Sequence, residues 1–110
     1  MQELVILKIG GSVATDKNSS AYTLQTDLLR LIFNALARVK NNNPYLQLIL
    51  IHGAGGHVHS LAHTYDLGAG VGTDEHKKAG ALKTMAAVQK LHAEVMEIGL
   101  QSLPLHSVHT

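Results

Sequence analysis

The sequence contains no cysteine, which excludes disulfides and thiolate metal sites and permits a reducing compartment. It has no surplus of either charge: nine Lys and Arg against eight Asp and Glu leave a formal net charge of +1. The basic stripe that nucleic-acid binding needs for counterion release is therefore missing, and no nucleic-acid partner is expected. Nor is there a long apolar run. The start, MQELVILKIGGS, has no basic leader, and its aliphatic segment stops at Gly10 after a few residues. That fits neither a signal peptide nor a membrane span, so a soluble, cytoplasmic protein with no membrane partner is expected. Also missing are the Walker P-loop, GxGxxG, GxSxG and HExxH patterns. A covalent hydrolase mechanism therefore has no support.

What is present is 110 residues, 45% of them hydrophobic, enough for a modest core in one compact unit, residues 1–110. LVILKI, Leu4 to Ile9, is an aliphatic run broken by one lysine and closed by Gly10-Gly11, which predicts a strand buried on both faces. After a polar loop, Thr23 is positioned to cap a helix in which Leu24, Leu28, Leu31, Ile32, Ala35 and Val39 follow a 3.6-residue period until NNNP ends it at Pro44. Leu46 to Ile51 predicts a second buried strand, and His57 to about Tyr65 a short helix. Asp66 to Gly80 reads as a loop. Leu82, Met85, Val88, His92, Val95 and Met96 then mark another helix ending near Gly99, and Leu103 to Val108 is a third candidate strand. Strands separated by helices imply parallel pairing by right-handed crossovers, hence an α/β fold, a three-layer αβα sandwich with a mainly parallel sheet.

Both glycine clusters, Gly10-Gly11-Ser12 and Gly53-Ala54-Gly55-Gly56, follow the ends of strands. In an open parallel sheet ligands bind at the carboxyl ends of the strands, so the two clusters should share one edge. Backbone amides gathered there can point at one anion, and the second cluster also opens a helix whose N-terminus favours phosphate. The plainer reading is a pair of strand-ending turns. Lys8 interrupts the aliphatic run just before the first cluster, where an unpaired ammonium inside a core would be costly. A bound phosphate would neutralise it; alternatively, its stem lies on apolar surface and its head reaches water. Three histidines, His57, His59 and His63, sit close enough in sequence to suggest a metal, the last two at i,i+4 spacing. No carboxylate completes that set, and no metal site is expected.

The segment ILKIGGSVATDK, Ile6 to Lys17, resembles the amino-terminal signature of the amino acid kinase superfamily, and its TDK ending resembles the isopentenyl phosphate kinase branch. IHGAGGHVH, Ile51 to His59, is similar to that branch's HGAGSFGH element, with Gly56, His57 and Val58 where the branch has serine, phenylalanine and glycine. LKTMAAVQKLHAEVMEIGLQSLPLHSVH resembles the long helix and strand that follow. The resemblance implies an amino-terminal lobe of an ATP- and Mg²⁺-dependent kinase acting on a small phosphorylated or carboxylate acceptor. It implies that Lys8 and Lys17 contact the nucleotide phosphates, that Gly10, Gly11 and Ser12 line the phosphate path, and that Gly53, Ala54 and Gly55 hold the acceptor phosphate with His59 hydrogen-bonded to it. Lys8 and His59 are the implied catalytic pair. A non-catalytic anion-binding remnant and a fosfomycin or glutamate kinase relative are the alternatives. The lobe alone is expected to fold, to self-associate or form a homodimer, and to transfer no phosphate.

Overall fold

The computed structural model describes residues 3–15 and 23–104. Its two strands are β1 (Glu3–Ile9) and β2 (Leu46–His52), seven residues each. They pair in parallel from Glu3 opposite Leu46 to Ile9 opposite His52. A parallel pair cannot be joined by a hairpin, and the crossover carries helix α2 (Thr26–Asn42). Between β1 and α2 lies the one-turn helix α1 (Gly11–Ala14). Thr15 and Leu24 form an isolated antiparallel bridge, and the Gln25 N–H donates to the Ala14 carbonyl at 2.8 Å, so the chain returns beside the turn it left. After β2 come α3 (Gly55–Thr64), a 3₁₀ turn at Leu67–Ala69, and α4 (Glu75–Leu100).

The α/β class and the parallel pairing are those expected from the sequence. Burial in the strands is not. Side chains alternate across a strand, and only one face of this pair is covered. Ile9 and Leu50 on that face pack with Leu29 and Phe33 of α2 and with Leu91, Val95 and Ile98 of α4. On the other face Leu4, Ile6, Ile49 and Ile51 are exposed, Leu4 and Ile6 by 55% and 62%. A continuous aliphatic run suits a sheet with helices on both sides; among the described residues the helical layer lies on one side only.

Helix α2 keeps the expected period, and Leu24 and Ile32 of the expected stripe pack against the core, but the most buried face is another one. Leu29 and Phe33 are buried, whereas Leu28, Leu31 and Val39 are exposed. It begins after Thr23, with Gln25 as N-cap, and ends as expected at NNNP. There Asn43 bonds back to the Val39 carbonyl through both its backbone and its side-chain nitrogen, each at 3.0 Å. The Lys40 ammonium donates to the Pro44 and Leu46 carbonyls, placing a cation at the negative end of the helix.

Helix α4 starts five residues before the expected end of the loop at Gly80, because Asp74 caps it. The Asp74 carboxylate accepts the N–H groups of His76 and Lys77 at 2.8 and 3.1 Å, and such a cap contributes about 1 kcal/mol. Only the carboxyl-terminal half of α4 enters the core; Leu82, Met85 and Val88, which mark the helix in the sequence, are exposed. The amino-terminal half is anchored at Gly80, where Tyr65 occupies the place of a β-carbon. The third candidate strand falls, from residue 105 onward, outside the described residues; Leu103 ahead of it is buried in the core. No helix among the described residues is long and apolar enough to cross a membrane.

Candidate functional site

Because Ile9 stands opposite His52, both strands end at one level and Gly10 and Gly53 leave the sheet side by side. The ladder runs one step further, with the Gly53 N–H donating to the Ile9 carbonyl at 2.9 Å. The two glycine clusters then touch backbone to backbone. A β-carbon on Gly11 would stand 2.6 Å from the Gly55 nitrogen, and one on Gly53 would stand 2.5 Å from the Gly11 nitrogen. Neither neighbour is a side chain that could swing away, so this approach needs glycine on both sides. The shared edge expected from the sequence is therefore present.

Thr15 locks the two clusters together. Its hydroxyl donates to the Gly11 carbonyl at 2.9 Å and accepts the Gly56 N–H at 3.2 Å. The residue is only 3% exposed. Gly55 has φ +82°, and a β-carbon there would run into the Thr15 side chain. One buried hydroxyl thus joins the turn after β1 to the first turn of α3.

These bonds decide which amides remain for a ligand. The Gly53 N–H belongs to the sheet and the Gly56 N–H to Thr15, so Gly53 acts by bringing the backbones together rather than by donating. Among the described residues the N–H groups of Gly11, Ala54 and Gly55 donate to no other group, and all three nitrogens lie at the contact between the clusters. Ala54 is the N-cap residue of α3, so two of these amides also sit at the positive end of a helix dipole. Anion-binding concavities in proteins are built from backbone amides grouped in this way; of the three residues, Gly55 is buried.

The other sequence-predicted residues are distributed around this contact. Gly10 is the N-cap of α1, with its carbonyl accepting from Val13 and Ala14, and Ser12 lies within α1. Lys8 stands two positions before Gly10 on the open sheet face, opposite Ile51, and is exposed. His59 lies one turn into α3 and is exposed. Neither has a hydrogen bond or ion pair among the described residues. Lys17 lies outside the described residues. No three His, Asp or Glu side chains among the described residues gather as a metal would require.

Two features escaped the sequence reading. Thr15 was part of a motif but carried no stated role. His92, which in the sequence only helps to mark the last helix, has its Nδ1 2.7 Å from Nε2 of His52, whose own Nδ1 is 3.1 Å from the Gly53 carbonyl. These pairings span about forty positions, and no local spacing announces them.

The fold and this edge define a class: parallel α/β proteins with glycine turns at the carboxyl ends of adjacent strands. The Amino acid kinase family matches residues 3–110, and the chain belongs to that family. It is 44% identical over 66 residues to the isopentenyl phosphate kinase of Methanocaldococcus jannaschii, a match covering 56% of this chain and 25% of that protein. It is 30% identical over 97 residues to the isopentenyl phosphate kinase of Methanothermobacter thermautotrophicus, covering 86% of this chain and 35% of that one. The matches thus span between 25% and 35% of the relatives' lengths.

Proposed function

We propose that this chain is the phosphate-handling lobe of an ATP-dependent small-molecule kinase whose acceptor is isopentenyl phosphate. The observation that carries the reading is the backbone contact between Gly10-Gly11 and Gly53-Gly55, with the amides of Gly11, Ala54 and Gly55 at one place. An acceptor phosphate needs no protein nucleophile to activate it; transfer asks for positioning and for neutralisation of the charge that develops. The amides hold the acceptor phosphate, and His59, a turn along α3, donates to it. Lys8 and Lys17 balance the nucleotide phosphates. The residues present suit phosphate oxygens, and no described carboxylate stands at the contact, so Mg²⁺ would be held chiefly by the phosphates themselves. When bound, ATP supplies the phosphoryl group and the metal neutralises its oxygens.

Two measurements test this. Inorganic phosphate titrated into the 110-residue chain is expected to shift the Gly11, Ala54 and Gly55 amides together, whereas movement at one cluster alone would mean there is no shared site. In a chimera where this chain replaces the matching segment of the Methanothermobacter kinase, ADP release should depend on isopentenyl phosphate. Turnover with fosfomycin or glutamate instead would reassign the acceptor. Phosphate binding by the chain without turnover by the chimera would favour the non-catalytic, anion-binding reading.

A further inference from the structure

We infer that His92, on α4, is a positioning residue: through His52 it fixes the direction in which the Ala54 N–H points. The inference rests on the reading of that amide as part of the phosphate site. The Gly53 carbonyl can only accept, so His52 Nδ1 must carry the hydrogen in the 3.1 Å contact. In a neutral His52 ring, Nε2 is then the acceptor, and His92 Nδ1–H is the donor across 2.7 Å. The rings are nearly coplanar, 18° apart, with centroids 5.0 Å from each other. That separation is what an in-plane, end-to-end hydrogen bond requires, so the rings meet edge to edge rather than face to face.

The consequence follows from the planarity of the peptide. The Gly53 carbonyl and the Ala54 N–H belong to one trans unit and point in opposite directions. Holding the carbonyl toward His52 therefore aims the Ala54 N–H away from the histidine pair. The preceding peptide is held independently, by the Gly53 N–H on the Ile9 carbonyl at 2.9 Å. Both peptide planes at Gly53 are thus anchored, one by the sheet and one by a relay that begins on α4. A glycine at this position could not hold its own orientation, since its backbone is the least restricted of all.

The test uses the 110-residue chain. In the unmodified protein, long-range ¹H–¹⁵N spectra should show His52 protonated at Nδ1 and a coupling across the His52 Nε2 and His92 Nδ1 bond. The opposite tautomer at His52 overturns the relay without any variant. His92→Phe keeps a ring but removes the donor; it should shift the Gly53 carbonyl carbon and the Ala54 nitrogen and weaken inorganic phosphate binding about 3- to 10-fold, as loss of one neutral hydrogen bond implies. His92→Asn, whose amide nitrogen can take the place of Nδ1, should restore both. A merely structural role would lower the melting temperature in His92→Phe while leaving the His52 tautomer and the phosphate affinity unchanged, and that result overturns the inference. If the unmodified chain binds no phosphate, the phosphate-site reading falls. The relay is then decided by the His52 tautomer and the Gly53 carbonyl shift in His92→Phe and His92→Asn.

Discussion

The Gly56 N–H donates to the Thr15 hydroxyl at 3.2 Å, across forty-one positions of sequence, and this bond ties the opening of α3 to the turn after β1. Thr15→Val keeps the shape and removes the acceptor. The Gly11 carbonyl retains the Thr15 N–H at 2.9 Å, but the Gly56 amide loses its partner, which costs about 1–3 kcal/mol. A fall in melting temperature on the order of 5–15 °C is expected. Thr15→Ser should recover most of it. Equal stability of the Val variant and the unmodified chain would show that water replaces the hydroxyl.

At Gly80 two effects oppose each other. Glycine inside a helix costs about 1 kcal/mol relative to alanine, so Gly80→Ala would ordinarily stabilise α4. Here the new methyl group would meet the Cβ, Cγ and Cδ1 atoms of Tyr65, the rigid root of the ring, and overpacking costs about 1–3 kcal/mol. Net destabilisation is expected in urea unfolding. Combined with Tyr65→Ala, the same substitution should become neutral or stabilising.

The strand ends and glycine turns were legible because aliphatic runs closed by Gly10-Gly11 and by HGAGG have few other solutions. The inward faces of the helices were not. In α2, positions 28, 29, 31, 32, 33, 35, 36, 37 and 39 are all apolar, so periodicity announces a helix without choosing between the Leu28–Leu31 side and the Leu29–Phe33 side. Packing against Ile9 and Leu91 makes the choice. In α4 the stripe at Leu82, Met85 and Val88 is genuine but lies beyond the core that begins at Leu91. Thr15 and His92 bond to partners about forty residues away, so no local pattern could reveal them.

The open sheet face makes a prediction about association. Ile6→Thr together with Ile49→Thr places β-branched polar residues on exposed strand positions, where each change should alter stability by no more than about 0.5 kcal/mol. Any self-association through the bare face should then weaken, seen as a shift toward monomer in sedimentation velocity. Phe33→Ala, by contrast, should cost about 3–5 kcal/mol. An unchanged oligomer distribution in the double variant would remove this face from the contact.

For Lys8 the expectation concerns catalysis. In the chimera described above, Lys8→Ala should lower kcat about 10²-fold, the scale for losing one stabiliser of developing charge, and should raise KM less. An effect confined to KM would make Lys8 a ground-state contact only.

The contact between Gly11 and Gly53 also bears on genetics. A substitution at Gly80 should have a suppressor, because the nearest atoms in the way belong to the side chain of Tyr65 and a second mutation can trim them. The three nearest atoms that a new β-carbon would meet at Gly11, and the three at Gly53, are main chain, which no codon change can shorten. A selection for revertants at these two positions should therefore return glycine itself, and the pair should behave as one locus without intragenic rescue.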